Sequence, residues 1–126
     1  MLDNKEPRAT VGVKDLEAAR LFYEGKLGLV PVAGRQQPTT ITYQCGSSFL
    51  LVYQSANAGT NRATAVTWMA GAEADTTVKA LRDKGVVFES YDVPGAGRDG
   101  DVYMTGSVRI AWFRDPDGNI HAIVNG

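Results

Sequence analysis

Residues 13 to 32, VKDLEAARLFYEGKLGLVPV, lead from a strand-like run into a helix and out again, and this order is the first indication of the fold. Asp15 stands at the N-cap position, where its carboxylate can accept a hydrogen bond from a free amide of the first helical turn. Gly28 is a natural helix stop. The apolar residues between them recur at helical spacing: Leu16, Ala19, Phe22, Tyr23 and Leu27.

The first half of the chain reads as β-α-β-β-β. A strand is predicted before the helix at residues 10–13, and runs rich in β-branched and aromatic residues follow it. These later strands are predicted at residues 29–32, 39–43 and 49–53.

The second half repeats this pattern after the small, polar segment SANAGTNRAT, residues 55–64. A strand at 65–68 precedes a helix that Gly85 closes. Strands are predicted next at 86–91, 108–113 and 120–124. Identity between the halves is slight, so the repeat is one of pattern.

The sequence therefore predicts an α+β fold of two βαβββ modules in tandem. They occupy about residues 1–57 and 62–126 of one domain, residues 1–126. Each module forms a curved mixed sheet whose outer face is covered by a helix. The uncovered faces are expected to build a cup.

Composition excludes several functional classes. The chain has 126 residues with 13 basic against 14 acidic side chains, a net charge of −1, so nucleic acid and anionic membranes are not expected partners. The first residues lack the basic start and apolar run of a signal peptide. A single Cys45 forbids an intrachain disulfide. A cytoplasmic protein is the default expectation.

Two motifs carry a family resemblance. The elements D-L, F-Y and L-G-L of the first stretch, together with FRDPDGN at residues 113–119, resemble the vicinal oxygen chelate superfamily. This superfamily includes glyoxalase I, extradiol dioxygenases and bleomycin-resistance proteins. The resemblance implies the paired-module fold over nearly the whole chain and a subunit that pairs as a homodimer.

The resemblance also implies four metal-ligand positions, and none holds a donor here. The first falls on Arg8, a cation that does not bind metal. The last falls on Ala122. The other two fall near Thr64 or Ala65 and within residues 50–52, which read Leu-Leu-Val. No cofactor is therefore expected, and a divalent metal least of all.

The only histidine, His121, follows the turn Asp115-Pro116-Asp117-Gly118-Asn119 that predicts a β-hairpin. Ala122 has the parity of the missing ligand, so His121 should point to the other side, towards the helix layer or an interface. A hydrogen-bonded histidine is predicted there, not a metal ligand.

Three further features of the sequence give weaker information about function. Residues 95–100 spell G-x-G-x-x-G, but strand-like sequence follows where a dinucleotide site needs a helix, so a flexible loop over the cup is predicted. Cys45 lies in a turn and reads as an incidental thiol. Asn61 and Arg62 could reach a ligand or cap a turn.

The leading hypothesis is a metal-independent protein that binds a small organic molecule in an aromatic-lined cup, with Arg8 as a fixed cation for a planar or anionic ligand. No catalytic residue is assigned. The alternative is a metal-dependent glyoxalase-like lyase or isomerase, or a ring-cleaving dioxygenase. A metal-free catalyst with Glu89 or a tyrosine as base is a third possibility. The candidate ligand-binding residues are Arg8, Tyr43, Phe49, Tyr53, Trp68, Glu89, Tyr91, Tyr103, Met104 and Trp112.

Overall fold

A computed structural model describes residues 1–34 and 37–126. Its first sheet has the strand order β1-β4-β3-β2, in which β1 runs parallel to β4 and the other neighbours are antiparallel. The strands are β1 (Ala9–Val13), β2 (Val30–Pro31), β3 (Thr40–Cys45) and β4 (Ser48–Gln54).

The second sheet has five strands in the order β5-β9-β8-β7-β6, and β5 runs parallel to β9. Its strands are β5 (Thr64–Met69), β6 (Gly97–Asp99), β7 (Val102–Thr105), β8 (Val108–Arg114) and β9 (Ile120–Val124). Each sheet thus places the first and last strands of its module side by side, which confirms the α+β fold of tandem modules.

The first helix begins as the sequence predicts, with the Asp15 carboxylate accepting the Glu17 amide at 2.9 Å. It is α-helical only as α1 (Leu16–Arg20) and continues as a π-helix over Leu21–Lys26. Both consecutive aromatic residues in the π-helix, Phe22 and Tyr23, are buried.

The second helix, α2 (Ala74–Asp83), follows a single 3₁₀ turn at Gly71–Glu73. Gly85 ends this region with a φ of 90°, a left-handed conformation that favours glycine. Among the described residues, no helix is both long and apolar enough to cross a membrane.

Both sheets pack against one core. The Tyr23 ring lies between Tyr43 of the first sheet, 6.1 Å away, and His121 of the second, 5.7 Å away. The helical layer therefore sits against one face of each sheet, which we call the helix side. The opposite faces, which we call the open faces, point away from this core.

The segment 86–91, predicted as a strand, is not a regular one. Phe88 forms only an isolated bridge with Phe113, and the Glu89 amide donates to the Trp112 carbonyl at 2.8 Å. Its alternation still holds, since Val86 and Phe88 are buried while Val87 is exposed.

The G-x-G-x-x-G segment is also different from the predicted loop. Three of its residues form β6, which pairs with β7 in a hairpin whose turn contains Gly100 at a φ of 61°. Gly100 therefore serves a tight turn, and Arg98 lies opposite Tyr103 in the ladder.

Candidate functional site

An aromatic cluster stands on the open face of the second sheet. Trp112 on β8 packs edge-to-face against Tyr91 and Tyr103, each with a ring-centroid distance of 5.3 Å. The Tyr91 amide donates to the Tyr103 hydroxyl oxygen at 2.6 Å, which fixes the two tyrosines relative to each other. Trp112 is half-buried, so part of its ring remains available to a ligand.

Two arginines flank this cluster. The Arg98 guanidinium lies 4.8 Å from the centroid of the Tyr103 ring and donates to Ser90 Oγ at 2.8 Å. Arg114 follows Trp112 with the same strand parity and forms an ion pair with Glu89. The hydrogen bond and charge of Glu89 raise the pKa of Arg114 above its usual value. The cluster therefore combines apolar ring surface with an excess of positive charge.

The open face of the first sheet carries a smaller group. The Arg8 guanidinium lies 4.6 Å from the centroid of the Phe49 ring, and Tyr53 on the same face is 39% exposed. A groove of about 760 Å³ passes beside Phe49 and reaches Thr67 on β5. This groove follows the gap between the two sheets.

Three candidate ligand-binding residues lie on the helix side. Tyr43 is fully buried and donates to Glu24 at 2.8 Å, while the Trp68 indole donates to His121 at 3.0 Å. Met104 contacts Arg109, which is paired with Asp75 in the first turn of α2. These three side chains therefore do not line an open face. Their strands have apolar or aromatic residues on both faces, so alternation did not assign them.

The four positions at which the resemblance implies metal ligands do not fit a metal. Ala122 and Leu51 have the parity of the open faces, but a methyl group and an isobutyl group supply no donor. Arg8 presents a cation, and the position near Thr64 or Ala65 offers at most a single neutral hydroxyl. Within residues 1–34 and 37–126, no group of three or more His, Cys, Asp or Glu is placed to hold a metal ion.

His121 lies on the helix side, as predicted from its parity, and is fully buried. Its ring is stacked between Phe113, at 4.8 Å, and Trp68, at 6.1 Å. The Trp68 indole N–H can only donate, so Nδ1 of His121 accepts and the ring proton is on Nε2. Nε2–H then donates to the Tyr23 oxygen at 3.1 Å.

The chain of hydrogen bonds ends at Asp115, which accepts the Tyr23 hydroxyl at 2.7 Å. Burial lowers the pKa of His121 to about 4, against a smaller opposing effect of Asp115. Burial, followed by the charge of Asp115, raises the pKa of Tyr23. The network joins neutral His121 and Tyr23 to the Asp115 carboxylate and so links the first helix to the last hairpin, which explains the only histidine.

Two remaining sequence features have local explanations. Burial raises the pKa of the half-buried Cys45 thiol, which makes it a poor nucleophile. Asn61 accepts the Ala63 amide at 3.1 Å and so caps a turn, while Arg62 is exposed.

Sequence reasoning missed the two arginines beside Trp112. Arg114 could have been found from its period-two spacing to Trp112 on one strand. Arg98 was hidden because its glycine-rich segment was interpreted as a loop, and its partner strand is set by tertiary pairing.

Solved structures with the same fold include antibiotic-resistance proteins. The fosfomycin resistance protein FosX from Listeria monocytogenes aligns with a TM-score of 0.70 and 13% identity, covering 98% of this chain and 93% of that one. FosX from Mesorhizobium loti aligns with a TM-score of 0.66 and 14% identity over 98% and 92%. An integron cassette protein from V. cholerae reaches 20% identity at a TM-score of 0.64, over 98% of both chains.

At these identities the likeness shows a shared fold. No curated protein sequence matches the chain. A family model does match, over residues 7–123, and its description is the glyoxalase/bleomycin resistance protein/dioxygenase superfamily. The chain belongs to this superfamily.

Proposed function

We propose that the protein is a metal-independent binder of a small organic anion with a planar, aromatic part. The observation that carries this proposal is the open-face cluster in which Trp112 is packed by Tyr91 and Tyr103 and flanked by Arg98 and Arg114. Binding needs only such a surface, and no pair of groups suited to acid–base catalysis is required.

The chemistry of the ligand follows from the cluster. Aromatic side chains offer flat apolar area at low entropic cost, so a planar ring can stack or pack edge-on against Trp112. Arginine presents a planar donor set that matches carboxylates and phosphonates. Glu89 neutralises one of the two arginines, which leaves a net attraction for a monoanion or dianion.

Metal independence is supported by the side chains at the four positions discussed above. A hard divalent ion needs several oxygen or imidazole donors that converge, and Arg8 would repel it. The superfamily also contains metal-dependent enzymes, so the experiment must compare the two modes directly.

We further propose that two copies pair as a homodimer to close the cup. Both open faces point away from the shared core, and the groove that passes beside Phe49 and Thr67 is open on its outer side. Strands β1 and β5 contact each other, but the opposite ends of the two sheets are the edge strands β2 and β6, and such edges favour pairing with another chain. Arg8 and Phe49 of the first sheet would then supply the wall opposite the Trp112 cluster.

The experiment is calorimetric titration of the chelator-treated protein with phenylphosphonate, benzoate and the neutral analogue benzamide. We expect saturable binding of an anion without added metal, and binding of benzamide at least about tenfold weaker, since one charge-assisted contact contributes at least about 1.4 kcal/mol. Trp112→Ala, or Trp112→Phe where the alanine variant is unstable, should weaken anion binding by a similar factor.

Arg114→Gln tests the charge, and Arg82→Gln is its control. Both arginines are ion-paired, Arg114 with Glu89 and Arg82 with Asp101, but Arg82 lies on α2, away from the open face. Only Arg114→Gln should reduce the preference for anions over benzamide. The proposal would be contradicted if Arg114→Gln and Arg82→Gln kept the same preference for anions over benzamide. It would also be contradicted if anion binding appeared only after metal is added.

A further inference from the structure

A second cavity lies on the helix side of the second sheet. Its volume is about 230 Å³, and it is formed where the end of the first helical segment meets α2, β5, β8 and β9. The lining residues are Leu27, Leu29, Trp68, Met69, Ala70, Thr77, Leu81, Phe113 and Ile123. We call it the helix-side cavity.

The helix-side cavity differs in chemistry from the open-face cluster. None of the lining side chains in the described part of the chain carries a charge, and Thr77 supplies the only hydroxyl. Trp68 brings a polar N–H, but it already donates to Nδ1 of His121 at 3.0 Å. The surface left for a ligand is therefore made of aromatic and aliphatic groups.

Its location is also independent of the proposed binding face. Phe113 lines the cavity, whereas its neighbour Trp112 belongs to the open-face cluster, so β8 separates the two. A route from outside exists, because the groove between the sheets shares Leu29, Trp68 and Met69 with the cavity. Met69 is 67% exposed and stands at this junction.

Size narrows the class of ligand. An apolar protein cavity of about 150 Å³ stays dry and takes up benzene. The helix-side cavity is larger, about 230 Å³, which suits a molecule of two fused rings or a hydrocarbon of similar bulk. A charged ligand would bind poorly there, since burial of an unpaired ion in apolar surroundings is costly.

We propose that the helix-side cavity is a second binding site, which takes a neutral, flat, apolar molecule of about naphthalene size. This site is formed by residues outside the open-face cluster, so it does not depend on the function proposed for that cluster. Its ligand packs beside the Trp68 ring, which is itself stacked on His121. The occupant would thus bridge the two modules next to their buried hydrogen-bonded link.

The test is a titration of the full chain with naphthalene, followed by the two tryptophan indole N–H signals in ¹H–¹⁵N NMR. The two signals are assigned with a Trp112→Phe sample. We expect a saturable shift of the Trp68 signal, which reports on the cavity, with little change in the Trp112 signal. A shift of Trp112 alone, or no saturable shift of Trp68, would overturn the proposal.

Matched variants locate the site. Leu81→Phe adds bulk to the cavity wall and should weaken naphthalene binding at least tenfold. Leu21→Phe, the same change on a side chain that is 76% exposed, should leave it unchanged. Thr77→Leu narrows the cavity from α2 and serves if Leu81→Phe is unstable. Unchanged affinity in the folded cavity variants would refute the assignment.

A last comparison separates a ligand from a second copy of the chain. The titration is repeated across protein concentrations that span any dimerisation. The proposal expects the same dissociation constant throughout. If naphthalene binding disappears as dimers form, the cavity is covered by the partner copy and the proposal is wrong.

Discussion

At the scale of single residues, His121 shows how one polar side chain can be accommodated in an apolar core. Its two ring nitrogens are both paired, one as acceptor from Trp68 and one as donor to Tyr23. Protonation would place an N–H at Nδ1 against the indole N–H, which cannot accept. The folded state therefore holds the neutral imidazole.

This arrangement predicts a pH dependence of stability. The pKa of His121 is lowered to about 4 in the folded state from a reference value of 6.5. The unfolded chain therefore takes up the proton first as the pH falls. The stabilisation is complete above pH 6.5 and is lost between pH 6.5 and about 4. The free energy of unfolding should fall by about 3 kcal/mol over that range.

Urea unfolding between pH 7.5 and 4 measures this loss, with His121→Gln as the comparison. Carboxylates titrate in both proteins, so the difference between their slopes isolates the histidine. The variant should show the smaller decline above pH 4. Parallel declines in the two proteins would mean that His121 is not responsible.

Tyr23 is the second member of the network with a measurable contribution. Tyr23→Phe removes the hydroxyl that donates to Asp115 and accepts from His121. Two buried groups then lose a partner, and the free energy of unfolding should fall by about 1–3 kcal/mol. Thermal or denaturant unfolding measures it. Tyr53→Phe is the control, because Tyr53 lies on the open face and is 39% exposed. It should change the free energy of unfolding by less than about 0.5 kcal/mol.

At the scale of elements, the alternation of β8 and β9 could be predicted from the sequence. Trp112 and Ala122 point to the open face while Phe113 and His121 point to the core, and the ladder pairs them accordingly. Side chains alternate between the two faces along a strand, so once one residue is assigned to a face the faces of all its neighbours on that strand follow. The capped start of α1 and the turn before β9 were equally local and were predicted for the same reason.

Features set by distant pairing were missed. Tyr43, Trp68 and Met104 were proposed to line the cup, yet each has its partner on the helix side. The segment 86–91 has strand-like residues, but only one bridge joins it to β8. A strand needs a partner edge as well as propensity, and sequence periodicity does not report that edge. The π-helical turn at Leu21–Lys26 left no recognised sequence signal.

The linker between the modules makes its own prediction at this scale. Gly59 has a φ of 73°, and a Cβ atom there would lie 1.8 Å from the Asp117 carbonyl oxygen. Gly59→Ala should therefore lower stability by about 3 kcal/mol or more, since the backbone of the last hairpin would have to move. Gly46→Ala is the control, because Gly46 has a similar φ of 60° and open space around it.

The control isolates the clash from the cost of a left-handed backbone. Gly46→Ala should lower stability by only about 1–2 kcal/mol. Denaturant unfolding of both variants gives the comparison. Equal losses would show that linker and hairpin do not touch as closely as described.

At the scale of the whole molecule, two sheets share one core and turn their open faces outward. This arrangement predicts a dimer in which the open faces contribute to the interface. Leu51→Lys places a charge on the open face of the first sheet, where Leu51 is half-buried, and should shift the equilibrium towards monomer. Leu21→Lys, on an exposed helical residue, is the matched control.

Sedimentation velocity over a range of concentrations reads this out. The expected order is a dimer for the unmodified chain and for Leu21→Lys, with a weaker dimer for Leu51→Lys. If the unmodified chain stays monomeric at high concentration, two copies do not share a cup. A Leu51→Lys dimer of undiminished affinity would also argue against a shared cup.

If this member of the superfamily binds its ligand without a metal, its thermal unfolding should not respond to metal ions. Chelator-treated protein is melted alone and with Mg²⁺, Mn²⁺, Fe²⁺, Ni²⁺ or Zn²⁺ in excess. We expect an unchanged Tm with every ion, and a rise in Tm with an aromatic anion. A bound ion at about a hundred times its Kd would add about 2.7 kcal/mol, on the order of ten degrees in Tm. A saturable rise of that size with one ion would mean that the protein holds a metal and that binding is not metal-independent.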